Sequence, residues 1–281
     1  MEDGQGTKLQ AAVRVRRQPM TLEFDLDQGL TFTSSTGESE TFYFADIVGV
    51  RTVSAKRRGP NHSFFQIYSY PKAKNCNSIV DGQKRYAQHI TVEIDESEGR
   101  EVLAAQEWVE KIRQVLWNAR DTRKILIFVN PASGQGRGHS IFQVVVQPML
   151  EQAAVPFDVI FTERAGHARD TISNSTNLEE YRAVATVSGD GLLSEVIQGM
   201  SSRSDSSTIF KKMPIGIVCA GSGNGLCKSV LFASGEAYGT LAATFVLIKG
   251  KPKRLDLSRV ITPENSEGYL SFLCMGWAVR I

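Results

Sequence analysis

Three Gly-rich segments, each directly behind a short apolar run, constrain this 281-residue chain more than any other feature. Lys124-Ile125-Leu126-Ile127-Phe128-Val129 leads into Asn130-Pro131-Ala132-Ser133-Gly134-Gln135-Gly136. Ala183 to Val187 leads into Ser188-Gly189-Asp190-Gly191, and Ile215 to Cys219 into Ala220-Gly221-Ser222-Gly223-Asn224. Apolar runs without alternation predict strands buried on both faces, as in a parallel sheet. Phe157 to Phe161 adds a further strand. Helical patterns separate these runs: about Ser140 to Ala153 with a kink at Pro148, after His167, about Leu192 to Met200, and after Asn224. Strand and helix alternating four times specify an α/β domain with a parallel sheet. Ser201 to Ser207 reads as a polar loop and Glu236 to Ile248 as another helix.

The first half has a different rhythm. Thr21 to Leu26, Thr41 to Phe44 and His89 to Ile94 alternate apolar and polar residues, and Phe64 to Tyr70 is rich in aromatics. Turn-like Ser34-Ser35-Thr36-Gly37 and Asp81-Gly82 lie between them. From Glu101 to Ala119 apolar residues recur at helical spacing, with Trp108 as the expected core anchor. Antiparallel strands closed by one helix resemble, in order of elements, a pleckstrin-homology-type domain. The basic cluster Lys56-Arg57-Arg58 reads first as a solvated hairpin tip, with an anionic-lipid site as the alternative. Arg254 to Ile261 and Tyr269 to Met275 read as two strands. A strand pair is not independently stable, so the expectation is a truncated β-rich domain. The expected domains are 1–120, PH-like and β-rich; 121–250, α/β; and 251–281, the start of a β-sandwich.

Composition narrows the function classes. Hydrophobic residues make up 42% and charged residues 22%, which suits globular domains with sizeable cores. A formal net charge of +2, from 32 basic and 30 acidic residues, argues against nucleic acid as a partner. Cys76, Cys219, Cys227 and Cys274 have no zinc-ligand spacing. No run approaches the ~20 apolar residues of a membrane span, and the first residues lack a signal-peptide pattern. The expectation is a cytoplasmic protein that visits membranes only peripherally.

The three loops lie at strand carboxyl ends, which in an open parallel sheet face one crevice. Each precedes a helix amino terminus, where backbone N–H groups favour phosphate. The P-loop, dinucleotide and protein-kinase signatures are all absent. Asp190 is the only carboxylate in the loops; it can accept the proton of an attacking hydroxyl, or it can cap a helix. Glu195 has two equal readings, as an exposed helix residue or as a group that orders nucleotide or Mg²⁺-bound water.

Asn130-Pro131-x-Ser133-Gly134-x-Gly136, Ser188-Gly189-Asp190-Gly191 and Gly221-Ser222-Gly223-Asn224 resemble the diacylglycerol-kinase-type catalytic domain, which is related to NAD kinases. The Ser-Gly-Asp-Gly form and Phe161-Thr162-Glu163-Arg164-Ala165-Gly166-His167-Ala168 look like those of sphingosine kinases; diacylglycerol and ceramide kinases usually begin the former loop Gly-Gly. The resemblance covers roughly Lys124 to Ile281. It implies ATP bound by Asn130 to Ala132, Thr162 to Gly166, Glu195 and Gly221 to Gly223, with Mg²⁺ accompanying it. It also implies that Ser188 to Gly191 face the lipid hydroxyl, with Asp190 as proton acceptor and a sphingoid base as substrate. Alternatives are a diacylglycerol or ceramide kinase, or a truncated nucleotide- or membrane-binding module without turnover. Gly225 stands where the family often has Ala.

Overall fold

The computed structural model describes residues 9–54, 62–73, 83–96, 103–117, 121–221, 223–263 and 265–271. The chain divides into two compact units, one around the first seven strands and the other around the parallel sheet. The basic cluster at Lys56 to Arg58, the Asp81-Gly82 turn, Cys76, Cys274 and Ser222 lie outside the described residues.

The first unit is a seven-stranded antiparallel sheet in the order β4-β3-β2-β1-β7-β6-β5. Its strands are β1 (Leu9–Val15), β2 (Gln18–Asp25), β3 (Gly29–Ser34), β4 (Ser39–Tyr43), β5 (Ile47–Thr52), β6 (His62–Ser69) and β7 (Gln88–Asp95). Leu22 and Phe24, two residues apart on β2, point inward together with Phe32, Ile67 and Val92, the period-two pattern of a half-buried sheet. Helix α1 (Ala105–Trp117) packs on β5 and β6. It buries Ala105, Trp108, Val109 and Ile112, and Trp108 meets Phe24 edge-to-face at 6.2 Å. The Ala105 N–H donates to Ser63 Oγ at 2.9 Å, tying the helix start to β6.

Three of these strands carry no clear signal in the sequence. β1 reads Leu-Gln-Ala-Ala-Val-Arg-Val, with two alanines of low strand preference. β3 opens on glycine, and β5 contains Gly49. Pairing supplies what their propensity lacks, on both sides for β1 and β3 and with β6 alone for the edge strand β5.

The second unit holds a parallel sheet ordered β11-β10-β8-β9, built from β8 (Lys124–Val129), β9 (Phe157–Phe161), β10 (Tyr181–Ser188) and β11 (Ile215–Cys219). The apolar run of β8 is buried from Ile125 to Val129. Leu126 and Phe128 join Ala168, Ile172, Val196 and Met200 of α5 (His167–Asn174) and α6 (Asp190–Ser201) in one core cluster. Ile125 and Ile127, at alternate positions, are equally buried, so helices cover both faces.

The long helix expected from about Ser140 to Ala153 is broken. It runs as α3 (Gly138–Ile141), a π turn over Phe142–Val146, and α4 (Gln147–Gln152). Pro148 has no N–H to donate, and the wider turn stands just before it. The segment read as a polar loop runs only to Asp205, because α7 (Ser206–Lys212) begins within it and buries Ile209. The last helix, α9 (Thr240–Lys249), starts four residues later than the expected Glu236. After it, β12 (Ser258–Thr262) and β13 (Asn265–Ser271) pair antiparallel, and the Gln198 side chain of α6 donates to the Leu270 carbonyl.

Candidate nucleotide and phosphoryl-transfer site

Strand order decides where a ligand can sit. The chain passes from β8 outward to β9, then crosses back to place β10 on the other side of β8. Loops leaving β8 and β10 therefore diverge and open a crevice at their carboxyl ends. The two loops that leave there are Asn130 to Gly136 and Ser188 to Gly191, and β11 brings Ala220 to Asn224 alongside.

Backbone contacts show how tightly these loops meet. The Asn130 N–H donates to Val187 O at 3.2 Å, Ala220 N–H to Ser188 O at 3.0 Å, and Asp190 N–H to Gly223 O at 2.9 Å. A Cβ placed on Gly221 would lie 2.7 Å from both Cα and N of Gly189, so the two loops touch only because neither residue has a side chain. Gly134, at φ 61°, starts a left-handed turn, α2 (Ser133–Gly136), that continues through Gln135 and Gly136. A Cβ on Gly134 would sit 2.3 Å from the Ala220 carbonyl oxygen. Asn130 shapes the entry to this turn, its Oδ1 accepting from the Ala132 N–H at 3.0 Å.

Asp190 opens α6, yet its carboxylate caps a different helix. Oδ2 accepts from the Gly225 N–H at 2.6 Å and Oδ1 from the Leu226 N–H at 3.4 Å, at the amino terminus of α8 (Gly225–Ala233). The two sequence readings of Asp190 thus meet in one residue: it is a cap, and it stands among the converging loops. The capping also corrects the expectation that α8 offers its first N–H groups to phosphate, since a carboxylate already holds two of them. Ser188 is 1% exposed, and its hydroxyl donates to the Gly189 carbonyl. Its side chain is part of the loop's interior.

Glu195 is not the exposed helix residue of one sequence reading. It is half-buried on α6, and its Oε2 is buried with no hydrogen-bond partner. Asn224 donates its amide to the Gly221 carbonyl, while its Oδ1 is likewise buried without a partner. A buried acceptor without a donor is costly, and both acceptors suit a polar ligand with hydroxyl or amine donors. Beside Gly136, Gly191 and Gly223 an added Cβ meets nothing within 4 Å, leaving room over the loops. The residues present fit a nucleotide. Among the described residues no three His, Cys, Asp or Glu side chains gather as a metal cage. A Mg²⁺ held mainly by phosphate oxygens and water needs none.

Thr162 also joins the assembly. Its N–H donates to Val129 O at 2.8 Å, which sets the loop after β9 against the base of the Asn130 loop. Glu163 to Gly166 turn toward their own helix: the Glu163 N–H donates to His167 Nδ1 at 3.1 Å, and Arg164 pairs with Asp170 at 2.7 Å. Residues that sequence reasoning missed stand nearby. A cavity of about 400 Å³ is lined by Gly134, Arg137, Gly221 and also by Cys219, Tyr238 and Thr240. The Gly239-Thr240 helix start was the available signal, but the expected helix began upstream of it.

The sequence signature described as the diacylglycerol kinase catalytic domain matches residues 124–260, the span of the parallel sheet, its loops and the start of β12. Residues 124–260 belong to the diacylglycerol-kinase-type catalytic domains, and the curated relatives of the chain include sphingosine kinases. The chain is 34% identical over 172 residues to sphingosine kinase 1 of Arabidopsis thaliana, covering 61% of this chain and 35% of that protein. It is 31% identical over 259 residues to human sphingosine kinase 2, covering 83% and 37%. Sphingoid long chain base kinase 5 of Saccharomyces cerevisiae is 30% identical over 202 residues, covering 71% and 27%. The chain thus spans about a third of the length of these curated relatives. A solved diacylglycerol kinase from Bacillus anthracis superimposes with a TM-score of 0.40 at 21% identity, over 49% of this chain and 44% of that one. No helix among the described residues is long and apolar enough to cross a membrane.

Proposed function

We propose that the α/β unit binds ATP with Mg²⁺ and serves a lipid kinase that phosphorylates the primary hydroxyl of a sphingoid base. The observation that carries this reading is the Asp190 carboxylate, fixed on the α8 amino terminus among three loops packed backbone to backbone. Phosphoryl transfer asks an enzyme chiefly for positioning and charge stabilisation, with a carboxylate to take the hydroxyl proton. ATP supplies the phosphoryl group, and Mg²⁺ neutralises its developing charge. The left-handed turn at Ser133 to Gly136 and the Gly221 to Asn224 loop cradle the phosphates, with Thr162 to Gly166 and the unpartnered Glu195 oxygen beside them. The Ser188-to-Gly191 loop presents Asp190 to the lipid hydroxyl as its proton acceptor.

The preference for a sphingoid base over diacylglycerol or ceramide rests on the Ser-Gly-Asp-Gly loop and on the names of the relatives. In this reading β12 and β13 begin a β-sandwich domain that holds the lipid, and the antiparallel unit is PH-like and assists docking at a membrane surface. The test is titration calorimetry of the chain with Mg²⁺–ATP, followed by transfer assays with labelled ATP and sphingosine, diacylglycerol or ceramide. Saturable ATP binding lost in a Gly221 variant supports the reading, whereas no binding by a folded chain overturns it. Transfer to diacylglycerol in preference to sphingosine overturns the choice of substrate.

A further inference from the structure

Cys219 is the last residue of β11, and Cys227 lies in the first turn of α8, on either side of the Ala220 to Asn224 loop. Both are free, buried cysteines. Cys219 lines the 400 Å³ cavity, whereas Cys227 is 1% exposed, its sulfur 3.7 Å from the Ile217 carbonyl oxygen. Tyr238 also lines this cavity. The Thr240 hydroxyl donates to the Cys219 carbonyl at 2.9 Å and fixes the strand end. The Cys227 thiol and, behind it, the Tyr238 hydroxyl hold Cys219 below the ordinary thiol range despite its burial, while Cys227 is pushed up by Cys219 and by burial. Cys219 thus lines a cavity, and Cys227 lies buried against the same strand.

We infer that Cys219 and Cys227 form an oxidation site in which a small hydroperoxide entering the cavity oxidises Cys219 and Cys227 closes the disulfide. The Cys219 sulfur attacks the peroxide oxygen, the O–O bond breaks, and a sulfenic acid forms as water or an alcohol leaves. The Cys227 sulfur then attacks the sulfenic sulfur. The S–S bond forms, and hydroxide leaves with the Cys227 proton as water. The two sulfurs lose two electrons in all, and the peroxide gains them. A disulfide holds its sulfurs about 2.05 Å apart, closer than two free thiols approach. Closing that gap draws the first turn of α8 toward the end of β11. That turn carries the N–H groups that hold Asp190, and the strand end carries the Gly221 loop. Disulfide formation therefore disturbs nucleotide binding, a consequence that rests on the ATP reading above.

The test uses the whole chain with stoichiometric hydrogen peroxide, followed by alkylation of remaining thiols under denaturing conditions and tryptic mapping. Cleavage after Lys212 and Lys228 puts both cysteines on the peptide Met213–Lys228. The expected product is that peptide unalkylated and lighter by two hydrogens, restored by dithiothreitol. A doubly alkylated peptide, or either cysteine cross-linked to Cys76 or Cys274, overturns the site. In Cys227→Ser, dimedone is expected to trap Cys219 as its sulfenic acid; an unlabelled Cys219 in the folded variant removes it as the attacking sulfur. Calorimetry with Mg²⁺–ATP is expected to show at least about tenfold weaker binding by the oxidised chain, reversed on reduction. Equal affinity overturns the coupling. If the reduced chain binds no ATP, it is the nucleotide reading that fails, and the peptide map alone decides the dithiol.

Discussion

Asp190 caps α8, and in the proposed reaction the same carboxylate takes the hydroxyl proton; substitutions separate the two roles. Asn keeps an acceptor for one of the Gly225 and Leu226 N–H groups but cannot serve as a base. Asp190→Asn is expected to lower transfer by ~10²–10⁴-fold in a lipid-active form of the protein, with a stability loss of only about 1 kcal/mol. Asp190→Ala removes both acceptors and is expected to cost about 2 kcal/mol. Denaturant melts of the two variants beside rate measurements check this; turnover near normal in Asp190→Asn removes the residue from the chemistry. Two neighbouring glycines make a second contrast. Gly221→Ala forces a methyl against the Gly189 backbone and is expected to cost roughly 1–3 kcal/mol together with ATP binding. A Cβ on Gly191 would meet nothing within 4 Å, so Gly191→Ala is expected to be nearly neutral for affinity. Gly191→Asp is expected to weaken ATP binding through repulsion between its charge and the phosphates. Calorimetry on the three folded variants reads all of these outcomes.

At the scale of elements, three strands are laced together at the end of the sheet opposite the loops. Lys124 of β8 donates to Asp158 of β9 at 3.0 Å, and the Tyr181 hydroxyl of β10 donates to Asp158 Oδ2 at 2.9 Å. The Lys124 hydrogen bond holds Asp158 below the usual carboxylate range. Its contribution to stability is therefore present above the ordinary Asp range and is lost as acid protonates it. Burial, and then the Asp158 carboxylate, push Tyr181 from 10.0 up to about 12. A raised value means that the folded state keeps the phenol proton better than the unfolded chain does. This contribution is whole below pH 10.0 and is lost as pH rises through about 12. Thermal melts against pH are expected to show that loss in the parent chain and not in Tyr181→Phe. Because the network is largely exposed, Asp158→Asn at neutral pH is expected to cost about 0.5–1 kcal/mol. Of the elements, β8 and the helices flanking it were legible because burial on both faces leaves an unbroken apolar run. β1, β3 and β5 were not legible, because alanine and glycine carry no strand signal until a neighbour pairs with them. α7 was hidden by its serines and by the length of the polar stretch before it.

The whole molecule joins two cores of different kinds. In the first unit an antiparallel sheet wraps inward-facing Phe, Ile and Val around one helix anchored by Trp108. Trp108→Ala is expected to cost about 3–5 kcal/mol and to speed amide exchange in β1, β2, β7 and α1. Unchanged exchange there contradicts the anchor role. In the second unit the ligand is expected to act as a stabiliser: at 100 times its Kd, Mg²⁺–ATP adds ~2.7 kcal/mol. Slowed exchange in the Gly134 and Gly221 loops reads that effect, and no slowing at saturation argues against binding there.

Several parts of this protein follow from its sequence alone. Apolar runs without alternation specify buried strands because both faces of the sheet must exclude water. Glycines at their ends specify close-packed loops because no other residue lets two backbones touch. Asp190 stands out in the sequence as the one carboxylate within those loops. The strand order that puts β8 between β9 and β10, and so opens the crevice between their loops, is a matter of pairing. Periodicity does not encode pairing, because each strand's pattern is the same whichever neighbour it takes. The Asp190 carboxylate reaches the Gly225 N–H 35 positions away, and the Cys227 sulfur reaches the Ile217 carbonyl across a loop. Contacts of that kind exist only once packing has brought distant residues together, and tertiary structure alone decides them.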